Sequence, residues 1–313
     1  MNAAGQTSSH LKHVRSIVVM GTVATVQIVG HRTGDGDPAE ATERAFGWFH
    51  RVEQCCNRFD ETSEARRLVC SSGVATKVSP ILFELVQFAL ALAQETDGAF
   101  DPTVGRRMEQ RGFNRDYRTG VAVSSGTDEA DKVTYRDVEI DAETRTITLR
   151  QPLVLDLGAV AKGLAIDMAA RELEPFEHFA VDAGGDLYLG GRNEHEEPWG
   201  VGIRHPREDG MLLDVLRVSN GAVCTSGDYE RQSDRPGVGH HIMDPRTGGS
   251  AERAISATVL APTAMLADGL ATAAFVLGPI EGLQLLERHG LDGLIVSQRM
   301  ERHRTAGYSP VVM

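Results

Sequence analysis

The stretch from 263 to 277, TAMLADGLATAAFVL, constrains the fold more than any other segment of the chain. Its apolar residues run around every side of the helix it predicts, and such a helix must be packed on every side. Asp268 nevertheless stands in its middle, with Thr272 four residues on. A carboxylate in that setting is costly unless a cation or hydrogen-bond donors meet it. Positions four apart share one helical face, so Asp268 and Thr272 can present a carboxylate and a hydroxyl to a single point. Hard oxygen ligands of that kind suit Mg2+. The competing reading is structural: Asp268 caps a nearby loop, and Thr272 bonds back to its own helix.

The chain that encloses this helix has 313 residues, 41% apolar and 24% charged, enough for one large domain or two small ones. A net charge of −12 argues against nucleic acid, which needs a basic surface against its phosphates. The four cysteines, Cys55, Cys56, Cys70 and Cys224, form no C-x-x-C pair and read as reduced thiols rather than a zinc site. The first residues lack the apolar stretch of a signal peptide, and no run approaches the ~20 apolar residues of a membrane span. The expected location is therefore the cytoplasm, with no membrane partner.

Hydrophobic period and turn residues divide the chain as follows. Residues 16–30 predict a strand or hairpin with a bulge at Gly21, and 31–38 a loop. A helix runs from Pro38 to about Cys56, and a second follows Ser79 as N-cap and ends at Gly98. Residues 114–136 read as a polar surface excursion, 138–150 as a hairpin, and 152–158 as a buried strand leading into a helix over 159–174. Glycine turns then separate strands over 179–191, 199–206, 212–219 and 221–227. A strand over 255–262 precedes the Asp268 helix, and the segments 281–290 and 291–298 close the core. Strands and helices come in groups, which favours α+β with mixed or antiparallel sheets and packed helices. No repeat or linker divides the chain, so residues 1–15 read as a flexible N-terminal segment and 16–313 as a single domain.

Three other stretches carry chemistry. In LDLGAVAKG, Asp156 ends an apolar segment and Lys162 sits early in the next helix. Such a strand–glycine–helix junction offers amides, a dipole and a cation to an anion, or is a plain turn with a surface lysine. In DAGGDLYLGG two carboxylates flank a glycine pair, as a ligand site or a solvated hairpin. In HHIMDPR only one of His240 and His241 can face a given site from an extended segment, and Asp244 and Arg246 follow close by. No Walker A loop, GxGxxG fingerprint, GxSxG elbow or HExxH motif occurs.

In this order, MGTVATV, NRFDETSEARRL, GAFDPTVG, LDLGAVAKGLAID, VDAGGDLYLGG, WGVGIRHP, AVCTSGDYER, HHIMDPRTG and ADGLATAAFVLG resemble the FAD:protein FMN transferase family, also called the ApbE family, over roughly residues 17–278. The resemblance implies an α+β fold and an enzyme that uses FAD and Mg2+, or Mn2+. Such an enzyme moves FMN onto a Thr or Ser hydroxyl of an acceptor flavoprotein and leaves AMP. It also implies a metal held by Asp268, Thr272 and the main chain of Ala159. Met20, Phe59, Ala99, Phe100, Asp101, Asp156, Lys162 and Ile242 would contact FAD, Lys162 near the pyrophosphate. His241 is the candidate base, with Asp244 orienting it, and Arg231 either contacts phosphate or braces its loop. Relatives commonly carry aromatic residues where this chain has QSDRPGVG, a loop that can border the acceptor's entrance. The alternatives are a metal-dependent FAD pyrophosphatase giving FMN and AMP, and a flavin-binding protein without catalysis.

Overall fold

The structure, a computed structural model, describes residues 11–30, 36–126 and 133–311. The expectations for residues 1–10, for most of the 31–38 loop and for 127–132 lie outside the described residues. The chain forms, in order, β1 (Leu11–Val19), β2 (Thr22–Gly30), α1 (Pro38–Cys56), α2 (Glu64–Cys70), β3 (Thr76–Lys77), α3 (Pro80–Glu95) and α4 (Gly105–Gln110). The hairpin β4 (Val138–Asp141) and β5 (Thr146–Leu149) precedes α5 (Gly158–Leu173). There follow β6 (His178–Ala183), β7 (Asp186–Gly190), β8 (Trp199–Arg204), β9 (Leu212–Val218), β10 (Gly221–Gly227) and β11 (Ala254–Ala261). The chain closes with α6 (Ala264–Arg288), β12 (Asp292–Ser297) and β13 (Arg302–Arg304).

The result is α+β. Eight strands form one antiparallel sheet in the order β1-β2-β6-β7-β10-β11-β12-β13. Alternation along each strand gives this sheet two apolar faces. Ala24, Val26, Val181, Ala222 and Cys224 face α1, α5 and α6, whereas Leu189, Val223, Leu294 and Val296 face the β8–β9 hairpin. The C-terminal segment lies along β9, where Val311 donates its amide to the Val215 carbonyl at 2.7 Å.

Several boundaries differ from expectation for local reasons. Strand pairing carries β1 back to Leu11, so residues 11–15 belong to the sheet rather than to a flexible segment. Met20 and Gly21 have φ of 53° and 73°, which makes them the two-residue turn of the β1–β2 hairpin, so Gly21 is not a bulge. Leu153, Val154, Leu155 and Leu157 are buried as expected, but the segment forms no strand. The Gly105 amide bonds to Val154 and the Asp156 amide to the Pro102 carbonyl. In the expected surface excursion, Asp116 is buried under its own turn amides.

The Asp268 helix needs a further correction. By length and composition α6 could cross a membrane, contrary to the expectation that no segment would. It is instead packed against α5 and the sheet, and Gly278, with φ 80°, breaks it ahead of Pro279. Its own N-cap, Thr263, makes no capping bond. Asp167 of α5 does so in trans, accepting the amides of Ala264 at 2.6 Å and Met265 at 2.9 Å. One turn earlier, Gly163 lets the two helices touch: a Cβ there would stand 2.5 Å from the Ala264 carbonyl oxygen. Gly163→Ala should therefore destabilise the protein despite the ~1 kcal/mol that alanine adds to helix propensity. Backbone lies on the far side and cannot rotate away, so the overpacking cost belongs at the upper end of the ~1–3 kcal/mol range. A denaturant midpoint as high as wild type would contradict this contact.

Candidate functional site

What meets Asp268 is Lys162. The lysine reaches across from α5, with its Nζ 3.2 Å from Asp268 Oδ2, and also pairs closely with Asp186 at the start of β7. Asp268 is only 6% exposed. Burial pushes its pKa up, while Lys162 and the Gly163 amide oppose that shift. Asp186 is also buried and accepts the Thr225 amide at 3.0 Å. One cation thus serves two carboxylates, and the group holds a surplus of negative charge when both are ionised.

Thr272 does not bond back to its helix through any described contact; its hydroxyl shares a hydrogen bond with Ser226 of β10 at 3.1 Å. Ala159 lies in the first turn of α5, four residues before Gly163 and hence on the same helical face. The proposed metal ligands therefore come from α6 and from the α5 face that meets it. A carboxylate, a hydroxyl and a carbonyl are hard oxygen donors that fit Mg2+ or Mn2+. Among the described residues no group of three His, Cys, Asp or Glu side chains is spaced to hold a metal. The proposed set calls for only one such side chain.

Turns from several elements surround this cluster. Near the end of β6, Asp182 accepts the Gly185 amide of the β6–β7 turn on its Oδ1 at 2.9 Å. Gly184 passes so close to the β1–β2 hairpin that a Cβ on it would lie 2.3 Å from Thr22 Oγ1. The turn residue Met20 donates its amide to Glu53 at 3.1 Å, and Tyr117 donates its hydroxyl to the same oxygen at 2.7 Å. Asp156 is engaged on both oxygens, by the Gly158 amide at 2.9 Å and by Arg58 Nε at 2.9 Å. Arg58 also stacks over the Phe59 ring and donates to the Phe113 carbonyl.

His241 lies beyond Phe113, whose ring meets it edge-on at 6.5 Å between centroids. Its amide bonds to the Arg231 carbonyl at 3.1 Å, and its Nδ1 is buried without a partner among the described residues. Burial, reinforced by the Arg231 charge, lowers its pKa to about 4, so the imidazole is neutral at pH 7. Asp244 does not orient it. Arg246 binds both Asp244 oxygens at 2.9 and 2.8 Å, and no described bond joins Asp244 to His241. Burial would raise the Asp244 pKa, but Arg246 holds it below the usual carboxylate range. Asp101 is likewise committed, to Thr103 and to the Tyr135 amide at 3.0 Å. Ala99 and Ile242 share a small apolar cluster with Phe275, and Phe100 belongs to the main core.

Two cavities lie elsewhere. A cleft of about 550 Å³ runs between β8 and the sheet, and its lining includes Asp182 and Thr225 but not Lys162, Asp268 or His241. A smaller one of about 120 Å³ is lined by Asp101, Arg107 and Arg246. Asp186 and Ser226 in the cluster, and Arg58 on Asp156 beside it, carry no partner that the sequence alone names. Each stands inside a motif quoted above, but nothing local says which carboxylate or cation it will meet.

The chain matches the ApbE family over residues 20–295. It belongs to that family. It is similar to the FAD:protein FMN transferase of Haemophilus influenzae, at 31% identity over 87% of this chain and 82% of that protein. The enzyme of the same name from Treponema pallidum is 31% identical over 95% of this chain and 87% of its own length. Among solved structures, the ApbE protein of Thermotoga maritima superposes with a TM-score of 0.83 at 32% identity, covering 95% of this chain and 97% of that one. The flavin transferase ApbE from Vibrio cholerae gives 0.81 at 26% identity, covering 95% and 98%.

The low His241 pKa has a sign that can be checked. Between pH 6.5 and about 4 the unfolded chain binds a proton at this position that the folded protein refuses. Stability should therefore fall as pH is lowered through that window. His241→Asn should flatten this part of the stability–pH curve, and an unchanged slope would place the protonation elsewhere.

Proposed function

We propose that the protein transfers the FMN moiety of FAD onto a Thr or Ser hydroxyl of an acceptor flavoprotein and releases AMP, with Mg2+ or Mn2+ bound. The observation that carries this reading is the buried cluster of Asp268, Thr272, Lys162 and Asp186, at the junction of α5, α6 and β7. Asp268, Thr272 and the Ala159 carbonyl would hold the metal, which would supply Lewis-acid neutralisation of the pyrophosphate oxygens. The acceptor hydroxyl attacks the FMN-side phosphorus, and the bond from that phosphorus to the bridging oxygen breaks. AMP departs with that oxygen, and the new bond is a phosphodiester to the acceptor side chain. No nucleophile is required from this chain.

The hydroxyl proton must go to a base, and His241 suits this because it is neutral and its Nδ1 has no described partner. Met20, Phe59, Ala99, Phe100, Asp101, Asp156 and Ile242 are assigned to FAD. Asp101, Asp156 and the buried apolar members shape the pocket or offer main-chain groups, because their side chains are already committed. Glu53, which accepts the Met20 amide, joins the set by position, and Asp244 leaves the catalytic set to brace its turn. All four cysteines are free thiols, which supports a reducing compartment such as the cytoplasm.

The direct test incubates the pure protein with FAD and Mg2+, with and without an acceptor domain that carries the target Thr. AMP is followed by chromatography and covalent flavin by in-gel fluorescence. A fluorescent acceptor band with matching AMP is expected. AMP and free FMN without a band would favour the pyrophosphatase, and bound FAD without AMP a binding protein.

Asp268→Ala should abolish AMP release yet keep the fold, because Lys162 and Asp186 remain as a balanced pair. Full activity in that variant would remove the proposed ligand. His241→Ala should slow transfer at least 100-fold, within the ~10²–10⁴ range for a general base, with FAD affinity nearly unchanged. Equal loss of rate and affinity would argue against a base.

A further inference from the structure

The cations around the cluster are nearly all taken. Lys162 is held by Asp186 and Asp268, Arg58 by Asp156, and Arg246 by Asp244. Arg231 differs: its side chain is exposed and makes no hydrogen bond or ion pair among the described residues. It still faces the site. Its Nη2 lies 3.6 Å from the point where a Cβ on Gly21 would stand, with the Tyr117 ring also 3.6 Å from that point. Gly21 belongs to the turn whose Met20 is assigned to FAD.

The backbone of Arg231 fixes its place. Its carbonyl accepts the His241 amide at 3.1 Å, and the next residue pair, Gln232 and His240, forms a β-bridge. The guanidinium and the imidazole are therefore carried on two tied segments. An unpaired guanidinium at the rim of a cluster with surplus negative charge is poised for an anionic ligand. Its planar fork fits two phosphate oxygens at once.

We propose that Arg231 binds the diphosphate of FAD and takes up the charge that builds on the AMP phosphate as it departs. This rests on the flavin-transferase reading above. Lys162 cannot fill the same role alone, because two carboxylates already share it. When the bridging P–O bond breaks, its electron pair stays on the AMP oxygen, and the guanidinium is the described side-chain cation free to meet it.

The test is equilibrium binding of FAD, ADP and riboflavin, with Mg2+ present, to wild type, Arg231→Gln and Arg231→Lys. Arg231→Gln should weaken FAD and ADP by about 10- to 100-fold, the range of a hydrogen bond to a charged group. Riboflavin, which has no phosphate, should bind the variant about as well as wild type. Arg231→Lys should recover part of the loss, because it restores the charge without the fork. The side chain is exposed, so the thermal midpoint should hardly move. Undiminished FAD and ADP affinity in Arg231→Gln would overturn the proposal, and so would an equal loss for riboflavin. A wild-type protein that binds none of the three would overturn the flavin reading itself, and this inference with it.

Discussion

Lys162 is the interaction on which the rest of the site depends. It is carried by α5 and joins Asp268 of α6 to Asp186 of β7, so one side chain ties two helices to the sheet. Removing one partner from a buried ion pair typically costs ~3–5 kcal/mol, because the other charge is left without compensation. Here a third charged group softens that cost, since either carboxylate can be lost and still leave a pair. The same stoichiometry leaves negative charge that a metal ion can answer. Structure and ligand binding thus draw on one electrostatic surplus.

The geometry around Lys162 follows from its neighbours on α5. Gly163 removes the side chain that would hold α6 away, and Asp167 caps α6 where Thr263 does not. Three positions within two turns therefore set the distance between the helices, the start of α6 and the charge at its centre. With α6 so placed, Asp268 meets Lys162 of α5 and Thr272 meets Ser226 of β10.

The outer parts of the site are built differently. Met20, Gly184 and His241 come from turns and loops, each placed by a few backbone or side-chain contacts. The β6–β7 hairpin has two sides: Asp186 of β7 faces the helices, while Asp182 of β6 lines the cleft beneath β8. The sheet separates these carboxylates into different environments although they are four residues apart. Alternation across a strand pair, rather than distance along the chain, decides which of them belongs to the cluster.

Much of this was legible in the sequence. Period and capping residues place α1 from Pro38 to Cys56, and Ser79 starts α3 by accepting the Leu82 amide. The alternating strands and glycine turns imply the antiparallel sheet, and the family resemblance names the segments that converge. These features are local, set by hydrophobic period, backbone freedom and caps within a few residues. What stayed hidden is every pairing between distant segments. Asp268 and Lys162 are 106 residues apart, so no local pattern could say that one neutralises the other. Asp244 lies three residues from His241, yet it turns to Arg246, because a tight turn brings that guanidinium within reach of both its oxygens. The sequence by itself determined which chemical groups the protein owns and on which helices, strands and turns they sit. Only the tertiary structure decided which charges meet, because that depends on how closely α5, α6 and the sheet can approach, and Gly163 controls that approach.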